Sequence, residues 1–304
     1  MCSLKYRQGW YRFSRKLLTC CQLALLVYFP TSPIVADPLS PQTPTRARLS
    51  YSTENLTVSP ISLQGGSTLT VVSPEKWDSV ADHLLTVVKK IHKEYSTLFG
   101  EIPSFVSSVR LIEHDQFLAQ TGAPSWTNAL YFRGEILIPI SEKEKLDLDD
   151  LVRSIRHEYT HAVIHALSGG RCPGWLDEGL AEWSEGDENP ALPPALSAWV
   201  KKQPIVSLKL LQGGFTKLDF AMVPAAYAES LFASNLILSK FGFDEVRTYF
   251  DLLRGGTEKS FAFQKSFGIS ESAFEEVLNT SLVKWAKDRE ATTSNRGMGL
   301  KPSK

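Results

Sequence analysis

The sequence feature that most limits what this chain can fold into is the segment His157-Glu158-Tyr159-Thr160-His161. In a helix, residues four positions apart lie one turn above each other on the same face. The imidazoles of His157 and His161 can therefore bind one metal ion, and the carboxylate of Glu158 can reach a water beside that ion. The H-E-x-x-H pattern is typical of zinc sites with a general base. It requires a helix along the wall of a cleft and a third ligand from elsewhere in the chain.

The residues around this segment have the pattern of an amphipathic helix. The helix is predicted to begin near Asp147, with Asp149 and Asp150 favourable in its first turn, and to end at 168–170, where two glycines follow a serine. Apolar and aromatic residues recur at helical spacing along one side: Leu148, Leu151, Val152, Ile155, Tyr159, Ala162, Val163 and Ala166. Glu158 and the two histidines lie away from the centre of this stripe, as a cleft wall requires.

A second helix is predicted to begin near Leu176, after a turn at Pro173-Gly174. Glu178 is the expected third ligand, because two histidines and one glutamate around one zinc ion leave a fourth position open for water. Glu182 lies one turn further on, where it is predicted to accept the free N–H of a ligand imidazole and fix its tautomer. The alternative is that Glu178 and Glu182 form an ordinary acidic helix face.

Composition excludes several other functions. Lys+Arg and Asp+Glu both number 33 in 304 residues, and this balance argues against nucleic acid as a partner. Cys172 is the one cysteine beyond residue 21, so a thiolate zinc finger and a disulfide within the body are excluded. We interpret Cys172 as an ordinary loop thiol, with a ligand role as the alternative.

The amino-terminal residues predict export. A basic segment without acids precedes an apolar run at 17–29, which is shorter than the roughly 20 residues of a membrane span, and Ala36 is a suitable cleavage site. Residues 1–36 are therefore predicted to be a signal peptide, or an uncleaved anchor that gives the only membrane contact. The protein is then expected to be periplasmic or extracellular. Residues 37–54 are predicted to be a Pro/Ser/Thr-rich linker, 55–289 the folded domain and 290–304 a disordered tail.

The first half of the folded domain contains strand and hairpin signals. A hairpin is predicted at 56–72, a helix at 74–98 and a strand at 106–112. Residues 128–140 predict a second hairpin with its turn at Arg133-Gly134. An exposed edge of this hairpin could receive a peptide as an added strand, although a purely structural hairpin is the alternative.

Two segments, 157–161 and 175–182, together resemble the gluzincin zinc metallopeptidases. They are most similar to bacterial peptidase-MA-like domains, in which H-E-x-x-H is followed by W-L-x-E-G-x-A. The resemblance implies an α+β, thermolysin-like zincin fold: a small mixed sheet with an edge hairpin over the H-E-x-x-H helix, then a helical C-terminal half. Two departures are evident. The gap of 16 residues between His161 and Glu178 is slightly shorter than in thermolysin and the M1-type aminopeptidases. The sequence also contains no G-A-M-E-N-like segment, and this second departure favours an endopeptidase.

The segment Tyr227–Ser230 resembles the Y-x-x-S helix that follows the zinc site in peptidase-MA-like domains. In gluzincins a tyrosine or histidine from this part of the fold donates to the oxyanion. The resemblance therefore implies this role for Tyr227, with a packed aromatic side chain as the alternative. Ser230 is expected to pack between helices.

Two functions from different classes remain. The first is an exported zinc-dependent metallopeptidase that hydrolyses a peptide or protein substrate, with Glu158 as general base. The second is a catalytically silent, zinc-stabilised binding module that docks a peptide or protein partner. The intact Glu158 counts against the second function, because a binding module does not need that carboxylate.

Overall fold

The computed structural model describes residues 55–123, 127–141, 146–186, 192–215, 218–219 and 221–297. The predicted signal peptide and linker lie outside these residues. Among the helices within them, none combines the length and the apolar character needed to cross a membrane.

A five-stranded mixed sheet forms the first layer of the folded domain. Its strands are β1 (Leu56–Ser62), β2 (Thr68–Pro74), β3 (Val106–Glu113), β4 (Leu130–Phe132) and β5 (Glu135–Ile140). They lie in the order β1-β2-β3-β5-β4, with β1–β2 and β4–β5 antiparallel and the two inner pairings parallel. Both predicted hairpins are therefore present, and β4 lies at the edge of the sheet.

The second hairpin has the turn that its sequence predicts. Arg133 and Gly134 have φ values of 53° and 87°, and a two-residue turn with both φ values positive matches the twist of its strands. Across this hairpin Tyr131 faces Ile136, which is fully buried. Since paired residues point to the same face of a sheet, the side chain of Tyr131 lies on the face that covers the core.

The remainder of the described chain is mostly helical, which confirms the α+β class. The helices are α1 (Asp78–Phe99), α2 (His114–Thr121), α3 (Leu148–Ser168), α4 (Gly174–Ser184), α5 (Leu192–Val200), α6 (Val223–Phe241), α7 (Phe243–Arg254), α8 (Lys259–Phe267) and α9 (Glu271–Gly297). α8 is not among the elements that the sequence predicts. The sequence predicts a disordered tail from residue 290, whereas α9 is helical as far as Gly297.

The ends of α3 follow the signals in its sequence. The carboxylate of Asp147 accepts hydrogen bonds from the backbone N–H groups of Asp149 and Asp150, at 3.0 and 3.3 Å. Gly169, with φ of 64°, ends the helix in the left-handed conformation. α3 lies between α1, α4 and α7 and also contacts β4, so that it joins the sheet to the helical part.

One buried hydrogen bond fixes α3 against α1. Nε2 of His92 lies 2.8 Å from the carbonyl oxygen of Gln64, and Nδ1 lies 2.9 Å from the hydroxyl of Tyr159. Because the carbonyl can only accept, Nε2 carries the proton and Nδ1 accepts from Tyr159. Burial lowers the pKa of His92 and favours this neutral state.

The close contact between α4 and α6 depends on Gly179. A Cβ at this position would lie 2.1 Å from the carbonyl oxygen of Ser230 and 2.2 Å from the hydroxyl of Ser234. Glycine therefore allows the backbones of the two helices to approach. Ser230 itself is buried in this contact.

Candidate metal centre

The three residues predicted as ligands converge where α3 meets α4. Nε2 of His157 and Nε2 of His161 each lie 3.7 Å from Oε2 of Glu178. Two ligand atoms bound to zinc at about 2.1 Å with a tetrahedral angle lie about 3.4 Å apart. The separations in the structure are close to this value. Two imidazole nitrogens and one carboxylate oxygen are also a donor set that zinc prefers, so these residues fit the ion.

A second carboxylate binds the far side of each imidazole. Nδ1 of His157 donates to Oε1 of Glu185 at 2.9 Å, and Nδ1 of His161 donates to Oδ1 of Asp177 at 2.9 Å. These bonds turn both Nε2 atoms toward Glu178 and fix the tautomers. The sequence predicts this contact for Glu182. The structure gives it to Glu185, at the C-terminal end of α4, and to Asp177, because these carboxylates lie on the Nδ1 sides of the rings.

The electrostatics are those of a cation site. Burial alone would lower the pKa of both imidazoles, but Glu178 and Glu185 hold the pKa of His157 well above its usual value. Asp177 and Glu178 likewise outweigh burial at His161 and raise its pKa to about 9. The pKa of Glu178 is lowered, because the two imidazoles outweigh its burial. Without a metal, these carboxylates therefore favour protonated histidines, and a metal ion would replace that positive charge.

Glu158 lies between the metal ligands and the edge of the sheet. Its Oε2 accepts a hydrogen bond of 2.6 Å from the backbone N–H of Tyr131 on β4. The ring of Tyr131 stacks against the imidazole of His161, with 6.4 Å between the ring centroids and 20° between their planes. The predicted base and one predicted ligand are thus both in contact with the edge strand.

Tyr227 approaches the same centre from α6. Burial raises the pKa of its hydroxyl, and the carboxylates of Glu178, Glu158 and Glu182 raise it further. The phenol is therefore protonated at neutral pH and can donate a hydrogen bond. Its ring also packs edge-on against Phe215, at 5.0 Å between centroids, so the residue has a packing contact as well as a position near the carboxylates.

Glu182 lies beside the ligands without a partner among the described residues. One of its oxygens, one oxygen of Glu185 and a ring nitrogen of His157 all lie within 4.8 Å of one another. Burial, together with Glu185 and Glu178, raises the pKa of Glu182 to about 7 against the opposing effect of His157. Glu182 is therefore part of the site, although it does not orient a ligand imidazole in this structure.

A polar network beneath the ligands was not predicted from the sequence. The hydroxyl of Thr160 lies 2.7 Å from the carbonyl oxygen of Arg156 and 2.9 Å from the hydroxyl of Ser184, and it also contacts the hydroxyl of Tyr95. The network joins α1, α3 and α4. The only signal of this network in the sequence is a polar residue, Thr160, on the buried side of the H-E-x-x-H helix. The side chains of Tyr95 and Ser184 that contact it are distant in sequence.

Cys172 is not among the donors that converge on this centre in the described residues. Its backbone N–H binds the hydroxyl of Ser168 at 3.3 Å, and burial raises the pKa of its thiol well above the usual value. A thiol in this state is neutral and unreactive at pH 7. The structure therefore favours the loop-thiol interpretation.

Comparison with known proteins gives one family match. The sequence model of the family described as the Peptidase MA superfamily matches residues 117–284, more than half of the chain, and this span contains all the residues of the centre. No curated protein matches the chain.

Solved structures that resemble the chain include aminopeptidase A from Legionella pneumophila in complex with aspartic acid, with 17% identity and a TM-score of 0.47. That match covers 73% of this chain and 27% of the other. An M1 zinc metallopeptidase from Deinococcus radiodurans has 14% identity and a TM-score of 0.42, over 74% of this chain and 50% of the other. The chain thus spans about a quarter to a half of the length of these proteins.

Proposed function

Because the chain belongs to the Peptidase MA superfamily, we propose that it is a zinc-dependent metallopeptidase. One observation supports this proposal above the others: the convergence of the Nε2 atoms of His157 and His161 on Oε2 of Glu178, each at 3.7 Å. These three residues would hold a single zinc ion. When bound there, zinc supplies Lewis-acid activation of water and of the scissile carbonyl.

Glu158 is the proposed general base. Its carboxylate accepts a proton from the attacking water and delivers it to the leaving amine, so that no net proton is consumed. The bond from the N–H of Tyr131 holds this carboxylate beside β4. A peptide that added to the free edge of β4 would place its backbone within reach of Glu158.

Tyr227 is the proposed oxyanion donor, because its phenol is protonated and lies near the carboxylates of Glu178 and Glu158. Asp177 and Glu185 hold the ligand imidazoles in the orientation that metal binding requires.

The substrate is proposed to be a peptide or protein outside the cytoplasm. The basic and apolar residues of the first 36 positions support export, with the mature protein periplasmic or extracellular. The absence of a G-A-M-E-N-like segment supports an endopeptidase. The edge hairpin beside the H-E-x-x-H helix supports a thermolysin-like arrangement of the catalytic fold.

The test is Glu158→Gln, which keeps the shape of the side chain and removes its basicity. The wild-type protein should cleave members of a random peptide library, read by mass spectrometry, and a chelator should stop cleavage. Glu158→Gln should lose hydrolysis while it retains one zinc per chain by elemental analysis. Glu276→Gln, on an exposed position of α9, is the matched control and should remain active.

Two results would contradict the proposal. Hydrolysis that survived in Glu158→Gln would rule out this base. A wild-type protein that bound zinc but cleaved no peptide would favour the silent binding module instead.

A further inference from the structure

The direction of the Tyr227 hydroxyl depends on how its ring is packed. This hydroxyl makes no hydrogen bond with another residue that the structure describes. The ring packs edge-on against the ring of Phe215, with 5.0 Å between the centroids and 70° between the planes. Phe215 is itself only 4% exposed, so its ring has little room to move. The position of Phe215 therefore helps to determine where the proposed oxyanion donor points.

The strap, which we define as residues 204–215, is attached to two helices by its backbone. The N–H of Val206 donates to Oε2 of Glu229 on α6, at 2.9 Å. The N–H of Leu208 donates to Oε1 of Glu275 on α9, also at 2.9 Å. Two such bonds from residues two positions apart fix the course of the backbone in this segment. The strap is therefore held against α6 and α9 before it reaches the phenylalanine at its end.

A third carboxyl group joins the strap to the helix that carries the proposed third ligand. Oε1 of Glu271 on α9 accepts a hydrogen bond from Nε2 of Gln212 at 2.8 Å. The same oxygen accepts from the indole N–H of Trp175 at 3.0 Å. Trp175 is fully buried in the first turn of α4, three residues before Glu178. One oxygen atom thus binds both the strap and α4.

The backbones of the strap and of α4 also touch directly. A Cβ at Gly174 would overlap the carbonyl oxygen of Gly213 and would lie 2.8 Å from the carbonyl oxygen of Leu211. Because both oxygens belong to the backbone, only glycine allows this approach. The strap therefore has a fixed position relative to α4 and to the proposed third ligand on it.

We propose that Phe215 is a positioning residue for Tyr227. The bond from Gln212 to Glu271 fixes the strap, and with it Phe215, relative to the helix that carries the third ligand. This inference rests on the proposed peptidase function and names residues that act through the phenol. Hydrogen-bond donors stabilise an oxyanion best when they are aimed at its position before the reaction. Phe215 and Gln212 should therefore affect the reaction only while the hydroxyl of Tyr227 is present.

The experiment measures kcat and KM of the zinc-loaded full chain for one peptide that the wild type cleaves. Phe215→Leu should lower kcat about 10- to 100-fold, because the phenol is misdirected, and should change KM by less than about twofold. Tyr227→Phe keeps the ring and removes the hydroxyl. In that background Phe215→Leu should lower kcat further by less than about twofold. Phe267→Leu, at an equally buried position of α8, is the matched control and should leave kcat unchanged.

Two results would overturn the proposal. The first is an equal loss of kcat from Phe215→Leu in both backgrounds, since that loss would not pass through the phenol. The second is an unchanged kcat in Phe215→Leu. If Phe215→Leu does not fold, Gln212→Leu takes its place, because Gln212 is half-buried and its loss leaves the aromatic residues intact. Gln212→Leu should also lower kcat, and the same two results would overturn the proposal.

A measurement without turnover separates this proposal from the proposed function. Fluorotyrosine is placed at position 227 of the full chain, and its fluorine resonance is recorded. Gln212→Leu should shift or broaden this resonance, whereas Gln264→Leu, at an exposed position of α8, should leave it unchanged. That result in a protein that cleaves no peptide would contradict hydrolysis but support the positioning of residue 227. A resonance that Gln212→Leu leaves unchanged would overturn the proposal, even in an active peptidase.

Discussion

Oε1 of Glu185 accepts the Nδ1–H of His157 at 2.9 Å, across the junction between α4 and α3. This acceptor for His157, a proposed ligand, thus lies seven residues beyond Glu178, the proposed third ligand. It lies about one turn beyond Glu182, the residue for which helical spacing predicts the contact. This distinction between Glu185 and Glu182 can be tested directly.

Glu185→Ala should weaken zinc binding about 10- to 100-fold, because the imidazole of His157 loses the acceptor that fixes its tautomer. Zinc affinity can be measured by competition with a chromophoric chelator. Glu182→Ala is the matched substitution on the same helix and should change zinc affinity much less. The reverse order of effects would show that Glu182 is the residue that orients the ligand.

Zinc removal should have a larger effect at higher pH. Without metal, the pKa of His161 is about 9 in the folded protein and about 6.5 unfolded, so the stability from this group is full below pH 6.5 and is lost as pH rises through 9. Zinc needs the neutral imidazole and binds more tightly over the same range. The difference in Tm between zinc-loaded and chelator-treated protein should therefore widen from pH 6.5 to 9. A difference in Tm that stayed the same from pH 6.5 to 9 would contradict this electrostatic explanation.

Gly179→Ala should destabilise the protein by about 3 kcal/mol, at the upper end of overpacking effects, because the new methyl group meets the backbone of α6. Urea denaturation of the two proteins measures this difference. Gly214→Ala is the control, since a Cβ there meets nothing within 4 Å and the residue does not have positive φ. Equal stability of the two variants would show that α4 and α6 are not in backbone contact.

Glu229 should make the protein less stable as pH rises. Its side chain is fully buried, one oxygen accepts from the N–H of Val206 at 2.9 Å, and the other has no hydrogen-bond partner among the residues that the structure describes. Burial raises the pKa of Glu229 to about 8, above its ordinary value of 4.5. The stability from this group is full below pH 4.5 and is lost as pH rises through 8, a change on the order of a few kcal/mol.

The substitution Glu229→Gln keeps a side-chain oxygen that can accept the N–H of Val206, and it removes the carboxyl group that titrates. Its free energy of unfolding should depend less on pH than that of the wild type between pH 5 and 8.5, as measured by denaturation at several pH values. If the free energy of unfolding changed with pH in the same way for both proteins, Glu229 would not be the titrating group.

The parts of the fold that local sequence determines could be predicted. The turn at Arg133-Gly134, the cap at Asp147 and the convergence of the metal ligands all follow from spacing within one or two elements. The contact made by Glu185 could not be predicted, because it depends on how α4 crosses α3. The hydrogen bond from Tyr159 to His92 joins residues 67 positions apart and has no local signal. α8 was missed because it is short and lies between two turns.

The contact at Gly179 also affects the relation between two predicted site residues. Glu178 and Tyr227 are separated by nearly fifty residues in the sequence, so their relative position depends on how α4 and α6 pack. The close approach of these helices at Gly179 and Ser230 lies one residue from Glu178 and three residues from Tyr227. A substitution that separated the two helices would therefore also separate the predicted third ligand from the predicted oxyanion donor.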